Sequence, residues 1–287
     1  MPDKLDLKKY KGKKGSLALR LLVDLAALIT VVVLVFIVGY IVIMGIPHLE
    51  PKLFAWKYTT DNVSMMPAII NTIFMTIGAL LVAIPLGVGS AVFLVEYAKQ
   101  GNKFVHLIRL TTETLQGIPS IVFGLFGFLM FVVTFGWGMS MLAGILTLAM
   151  MILPLIMRTT EEALKAVPDM YREGSFGLGA GKLRTIFKIV LPTAMPGILS
   201  GVILGIGRIV GETAALIYTA GTVTGIAKGL FSSGRTLSVH MYALLSEGLY
   251  MDQAYATAVV LLVMVIIINA ISAFVAGKVS KGTTEDD

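Results

Sequence analysis

The sequence predicts an all-α, polytopic membrane protein. Hydrophobic residues make up 56% of the chain and charged residues only 14%, whereas soluble domains carry about 25% charged residues. The apolar residues are gathered in runs that reach or approach the ~20 residues a helix needs to cross the hydrocarbon core. The sequence has no cysteine, which excludes a disulfide scaffold, a thiolate metal site and a thiol nucleophile.

Six apolar runs are predicted to be transmembrane helices. They cover residues 21–46, 69–95, 118–135, 139–157, 197–220 and 256–276. The first run is longer than the apolar core of a signal peptide and has no small-residue cleavage site after it, so we expect it to stay uncleaved. The chain thus divides into an N-terminal region 1–68, a membrane core 69–277 that contains a polar loop at 158–192, and a tail 278–287.

The basic residues predict the orientation. Eighteen of the 23 lysines and arginines lie in the N-terminal segment, around 99–109, in the loop at 158–188 and in the tail. Four lie in the other loops, namely Lys52, Lys57, Lys228 and Arg235. Because basic residues gather on the cytoplasmic side, both termini and the polar loop are predicted to be cytoplasmic. The positive-inside bias therefore accounts for the net charge of +6, which does not indicate a nucleic acid partner.

The polar loop alternates charge, glycine and apolar residues at helical spacing. Pro168 and Asp169 favour a helix start over residues 170–176. Three of its side chains are expected to fill a partner's cleft: Met170, Ser175 and Phe176. Three glycines predict a helix end and a sharp turn: Gly177, Gly179 and Gly181. A second short amphipathic helix is predicted over 182–191. The pattern is typical of a docking element, and a solvated loop is the alternative.

A phosphate-binding loop is only superficially present here. In the stretch Gly177-Leu-Gly-Ala-Gly-Lys182, Phe176 stands where a P-loop has glycine, and Leu183 stands where it has Ser or Thr. We therefore expect this chain to bind no nucleotide and no other cofactor.

The fifth run contains an arginine and a glutamate. At about 100° per residue, five positions share one helix face: Gly197, Gly201, Gly205, Arg208 and Glu212. Small residues at this spacing allow close helix packing, and an arginine in mid-span marks a site by default. Arg208 is expected to pair with Glu212 and to bind a tetrahedral oxyanion through its planar fork. A buried ion pair that only fixes helix packing is the alternative.

Other polar residues carry weaker indications. Arg158 is either a positive-inside anchor or the inner end of the anion path. The three histidines are scattered along the chain at 48, 106 and 240 and are not expected to form a site. Residues 221–255 form a long external segment in which 237–245 has helical apolar spacing.

The polar loop resembles the EAA loop of ABC importer permeases. The matching residues are Glu173-Gly174-Ser175, Gly179 after three further residues, and Ile189-Val190-Leu191-Pro192 after nine more. Glycine and serine stand where that family usually has two alanines. The resemblance implies that the loop holds a coupling helix that docks on a separate ATPase, which binds the ATP and Mg²⁺.

Further stretches are similar to the PstA-type permeases of phosphate importers. They are Arg208-Ile-Val-Gly-Glu-Thr-Ala214, Asn71-Thr-Ile, Pro85-Leu-Gly, Glu96-Tyr97, the run 117–127, and Arg158-Thr-Thr-Glu-Glu162. This resemblance implies the MetI-like permease fold and phosphate import. It also implies a PstC-type permease, a PstB-type ATPase dimer and an external phosphate-binding protein as partners. Permeases of the same fold for sulfate, molybdate or an amino acid, and an ion-coupled secondary transporter, remain alternatives.

Overall fold

The computed structural model describes residues 14–99 and 101–282. These residues form α-helices joined by short 3-10 and π-helical turns, with no β-strand among them. The α-helices are α1 Lys14–Gly45, α2 Met66–Val92, α3 Lys103–Gln116, α4 Ser120–Gly127, α5 Met141–Lys165, α6 Asp169–Gly177, α7 Lys182–Thr185, α8 Leu191–Val210, α9 Ala214–Thr219, α10 Leu237–Glu247 and α11 Met251–Gly282. The predicted all-α class is confirmed. The basic N-terminal residues 1–13 and the last five residues of the tail lie outside the described residues.

Five helical segments of this part of the chain are long and apolar enough to cross a membrane. They are Gly15–His48, Met66–Tyr97, Met141–Lys165, Lys182–Val210 and Met251–Lys278. The run predicted at 118–135 belongs to a bent pair, Lys103–Gln116 and Ser120–Thr134, whose axes meet at 104°. Pro119 lies at this bend, where its fixed φ and missing N–H interrupt the helix. The described chain therefore has five spans, or six if the bent pair counts as one.

Helix α3 replaces part of what the sequence predicts as a cytoplasmic loop. Asn102 begins it, because its side-chain oxygen accepts a hydrogen bond from the Phe104 amide at 2.9 Å. The other end is held against α5, where Gln116 Nε2 donates to the Pro154 carbonyl at 3.0 Å. The alternation of charged and apolar residues from 103 to 116 is the signal that would have revealed this helix.

Helix α5 is the centre of the bundle. Two thirds of its apolar span is buried, and it packs against both α2 and α8. Small residues permit this close approach: a Cβ at Gly78 would lie 2.7 Å from Ile145, and one at Gly197 would lie 2.6 Å from Ala163. A Cβ at Gly201 would overlap the side chain of Thr159. The predicted close packing of the glycine face is confirmed at Gly197 and Gly201, which lie against α5.

The bounds predicted for the fifth run are wrong at both ends. The helix begins at Lys182, so the short separate helix predicted over 182–191 is the first part of this span. A π-helical turn, Ile186–Val190, ends two residues before Pro192. Its wider winding accommodates a proline, which lacks an N–H and would clash with the preceding turn.

The other end of this span stops ten residues before the predicted limit. The helix ends at Val210, and α9 begins only at Ala214. The intervening residues, 211–213, break the run that the sequence presents as continuous.

We expect Gly201→Ala to destabilise the bundle by about 1–3 kcal/mol, because the added methyl group must push Thr159 and α5 away. Gly207→Ala is the control, since a Cβ there meets nothing within 4 Å. Unfolding of the purified chain in mixed micelles measures both. Equal stability of the two variants would contradict the proposed packing.

Candidate functional site

The polar loop folds as predicted into a helix that ends at a glycine turn. Gly179 has a φ of +83°, which glycine adopts without steric cost. Its amide donates to the Phe176 carbonyl at 2.9 Å, and the Ala180 amide donates to the Ser175 carbonyl at 3.1 Å. These two bonds form a Schellman motif that closes α6 and turns the chain towards α7.

The outer surface of this loop is apolar and exposed. Met170 is 71% exposed and Leu178 is 91% exposed, and Glu173 and Gly174 are also on the surface. A groove of about 520 Å³ runs between α6 and the following helix; its lining includes Met170, Tyr171, Leu178, Arg184 and Ile189. Leu191 and Pro192 are half-buried where the loop enters the span. This surface suits a partner that covers apolar side chains.

One residue predicted to fill a partner's cleft does not do so. Ser175 is buried, and its hydroxyl makes a 2.8 Å hydrogen bond with the hydroxyl of Thr185. The glycine turn brings α7 back over this face of α6, so Ser175 holds the two helices together. Phe176, by contrast, is exposed.

Arg172 ties the loop helix to the membrane bundle, a role that its sequence context did not reveal. Its Nη2 and Nε atoms lie 2.8 and 3.1 Å from Oε1 of Glu96, at the end of the π-helical turn that follows α2. The guanidinium also donates to the carbonyls of Leu164 and Val167 at the end of α5, at 3.0 and 2.9 Å. The Arg172 and Glu96 side chains are only 15% and 8% exposed. The sequence signal that could have indicated this contact was Glu96, a single acidic residue at the end of a long apolar run.

The predicted ion pair between Arg208 and Glu212 is wrong. An i, i+4 pair requires a continuous helix, but α8 ends at Val210. Glu212 is buried; its Oε1 accepts a hydrogen bond from the Ala215 amide at 3.1 Å, and its carbonyl accepts one from Ser238 Oγ at 2.6 Å. It thereby fixes the break and the start of α9.

Arg208 is half-buried in the last turn of α8. Across residues 14–99 and 101–282 it makes no hydrogen bond or ion pair. A guanidinium carries five N–H donors in a planar fork. Those of Arg208 are not engaged by any carboxylate of the described residues. The side chain is therefore chemically able to receive an anion.

Arg158 lies away from Arg208. Its Nε is 3.0 Å from Oε1 of Glu162 and its Nη1 is 3.6 Å from Oε1 of Glu113, so it faces α3. The neighbouring Thr159 meets Gly201, seven residues before Arg208, which corresponds to about 10 Å along the helix axis. The structure does not bring the two arginines together. Within the described ranges, no three His, Asp or Glu side chains form a candidate metal site.

A buried basic cluster, Arg235 and His240, lies at the end of the bundle opposite the polar loop. Arg235, counted in the sequence as a loop residue, is 4% exposed, and its guanidinium lies 4.9 Å from the centroid of the Tyr58 ring. His240 is fully buried on α10, and its ring packs edge-on against the same tyrosine. Desolvation, reinforced by the charge of Arg235, lowers the pKa of His240 to about 3. Burial also lowers the pKa of Arg235.

We expect Glu96→Gln to destabilise the chain by about 3 kcal/mol or more, because it leaves Arg172 without its buried counter-charge. Asp169→Asn removes the other, 3.1 Å bridge of Arg172, but that carboxylate is 86% exposed. It should therefore cost less than about 1 kcal/mol. Denaturant titration of both variants in mixed micelles tests this difference. Similar losses of unfolding free energy in the two variants would exclude a specific role for the Arg172–Glu96 ion pair.

His240 should make the chain sensitive to acid. Its folded-state pKa of about 3 lies below the ordinary 6.5, so the unfolded chain takes up the proton first as the pH falls. Stability is then full above pH 6.5 and is lost between 6.5 and 3, by about 2 kcal/mol at pH 5. His240→Leu should lose less stability between pH 7.5 and pH 5 than the parent chain. His106→Leu, which removes an exposed histidine, is the control, and identical pH profiles for His240→Leu and the parent would contradict the prediction.

Comparison with known proteins identifies the family. Residues 83–284 match the profile of the binding-protein-dependent transport system inner membrane component. The chain is 33% identical to the probable ABC transporter permease protein YqgI of Bacillus subtilis over 91% of this chain and 94% of that protein. It is 36% identical to the phosphate transport system permease protein PstA of Mycobacterium leprae over 72% of this chain and 68% of that protein.

Solved structures share the fold. An alginate ABC transporter in complex with an alginate pentasaccharide-bound periplasmic protein has a subunit that superposes with a TM-score of 0.65, at 16% identity, over 95% of this chain and 98% of that one. The inward-facing MetNI methionine ABC transporter gives a TM-score of 0.55 at 21% identity, over 76% and 93%. The chain belongs to the family of binding-protein-dependent transport system inner membrane components, the permease subunits of ABC transporters.

Proposed function

We propose that this chain is the permease subunit through which an ATP-driven importer moves inorganic phosphate across the cell membrane. The observation that carries the proposal is Arg208, a half-buried arginine at the end of a membrane helix with no acidic partner in the described part of the chain. It opens the stretch Arg208-Ile-Val-Gly-Glu-Thr-Ala214, which resembles PstA-type permeases. The similarity to the phosphate permease of M. leprae supports the same substrate.

The chemistry of Arg208 suits a tetrahedral oxyanion. Its guanidinium can donate two parallel hydrogen bonds to two phosphate oxygens. Because Glu212 is engaged by the Ala215 amide, no carboxylate must be displaced before the anion binds. Glu212 then acts by holding the break after α8, and its charge disfavours more highly charged anions nearby. Arg158 lies nearer the polar loop, but Glu162 and Glu113 already pair with it, so it contributes less to anion binding than Arg208 does.

The loop at 158–192 is proposed to receive the movement that ATP hydrolysis drives in a partner ATPase. Its exposed apolar side chains, Met170, Phe176 and Leu178, dock in a cleft of a PstB-type ATPase dimer that binds ATP and Mg²⁺. Movement of α6 passes through Arg172 to the ends of α5 and α2. This chain itself makes and breaks no covalent bond, and alternate opening of the path to either side carries the ion.

The remaining partners are proposed from the resemblance to PstA-type permeases, and the orientation is proposed from the distribution of basic residues. A PstC-type permease completes the path, and an external phosphate-binding protein delivers phosphate to the end that carries α10. The excess of basic residues near the polar loop supports a cytoplasmic position for both chain termini. The alternative is a permease of this family for another solute, such as sulfate, molybdate or an amino acid.

We expect Arg208→Lys to lower phosphate uptake by the reconstituted complex at least about tenfold, because an ammonium cannot form the two-point contact. The measurement is uptake of labelled phosphate in proteoliposomes, with arsenate, sulfate and molybdate as competitors. Arsenate should compete in the parent complex and sulfate should not. Arg20→Lys, a conservative change on α1, is the control.

Two outcomes are decisive against the proposal. Unchanged uptake and selectivity in a well-assembled Arg208→Lys complex would remove Arg208 from the path. Preferred transport of sulfate or molybdate by the parent complex would identify a different substrate for the same fold.

A further inference from the structure

A large groove lies beside the C-terminal end of α2. It has a volume of about 1160 Å³ and is bounded by the π-helical turn after α2, by Lys99, Gly101 and Asn102, by α3, and by the start of α6. Ligand sites commonly enclose about 300–1,000 Å³, so this groove holds far more than a single inorganic ion. It is distinct from the docking groove between α6 and the following helix.

The groove is rich in positive charge. Five basic side chains line it: Lys99, Lys103, Arg109, Lys165 and Arg172. Arg109 and Lys165 share one carboxylate, Glu161, at 2.7 and 2.6 Å, and Arg172 is occupied by Glu96 and Asp169. Lys99 and Lys103 are exposed and form no ion pair within residues 14–99 and 101–282. Even when Glu161 is counted with the two carboxylates of the lining, the five basic side chains exceed the acidic ones by two.

The same groove has an apolar wall. Leu94 and Val95 contribute from the end of the α2 span, and Leu107 and Leu110 contribute from α3. The two α3 leucines are 57% and 52% exposed, and Phe104 beside them is 63% exposed. The three α3 side chains have no covering element in the described structure, whereas Leu94 is buried, so the wall is open along α3.

The orientation of α3 explains why this wall is apolar. The axis of α3 makes an angle of 104° with the segment Ser120–Thr134. If that segment enters the bilayer near the normal, α3 lies close to the membrane plane. An amphipathic helix with a basic side and exposed Leu and Phe side chains is typical of this interfacial position. The groove then opens at the level of the lipid headgroups.

We propose that this groove binds the headgroup of an anionic phospholipid, with the phosphodiester at Lys99 and Lys103 and the acyl chains along Leu107 and Leu110. Basic grooves between membrane helices are suited to acidic headgroups. A free anion would use the lysines but not the apolar wall, whereas an amphiphile uses both. Because Asp169 and Arg172 also line the groove, a bound lipid contacts the start of the loop helix and braces it against α2.

The test is lipid binding to the full-length chain in detergent, followed by native mass spectrometry. Dioleoylphosphatidylglycerol and cardiolipin are titrated against dioleoylphosphatidylcholine. Inorganic phosphate and glycerol 3-phosphate are added in separate arms as soluble sources of the same phosphate chemistry. We expect the anionic lipids to bind at least tenfold more tightly than phosphatidylcholine, and the soluble phosphates to leave the lipid bound.

The variant Lys99→Gln/Lys103→Gln should weaken phosphatidylglycerol binding by about 30-fold, about fivefold for each lysine. Lys182→Gln/Lys188→Gln is the matched control. It removes the same charge from two exposed lysines at the same end of the bundle, outside this groove. Its affinity for phosphatidylglycerol should stay within about twofold of the parent chain, and thermal unfolding verifies that both double variants are folded.

Four results would overturn the proposal. Equal binding of phosphatidylglycerol and phosphatidylcholine would exclude headgroup recognition, and displacement by millimolar phosphate would indicate a free-anion site. Equal weakening in both double variants would indicate general surface charge. Loss of the lipid when the partner ATPase is added would assign the groove to a protein interface. Each result is independent of which solute the permease transports.

Discussion

The close packing of α2 and α8 on α5 is the constraint on which the rest of the structure depends. Glycines and a threonine bring the helix backbones together where larger side chains would collide, as at Gly197 against Ala163 and Gly201 against Thr159. Membrane helices gain little from apolar burial alone, so this close contact is a main source of their association. Because α5 also carries Arg158 and leads directly into the polar loop, its position sets both the inner end of the bundle and the direction from which the loop helix leaves.

Arg172 converts that position into a mechanical connection. A helix such as α6, attached only through flexible turns, could move without disturbing the bundle. The guanidinium removes that freedom, because it bonds at once to the end of α5 and to Glu96 beyond α2. Both groups are largely shielded from water, which makes loss of one partner costly for the other. The loop therefore presents an exposed apolar surface to a partner on one side and is rigidly attached to two spans on the other.

The break after Val210 separates two roles that a continuous helix would have merged. Glu212 satisfies an amide at the start of α9, and Ser238 bonds its carbonyl, so the glutamate maintains the backbone geometry. Arg208 is left at the helix end without a protein counter-charge among the described residues. An arginine already neutralised by a nearby carboxylate would bind an anion less strongly, so the break favours the proposed transport role.

The sequence by itself determined the membrane class, the positions of most spans and the loop helix with its glycine turn, because these depend on local composition and on local backbone preferences. It also indicated Arg208, since a charge within an apolar run is conspicuous without any coordinates. Only the tertiary structure decided the partners of these residues. The helix break that parts Arg208 from Glu212, the burial of Ser175 under Thr185, and the bond between Arg172 and Glu96, 76 residues away, depend on which elements meet in space. Periodicity along one segment carries no information about such contacts, because side chains on one predicted face can point to different neighbours once the helix ends or the chain turns back.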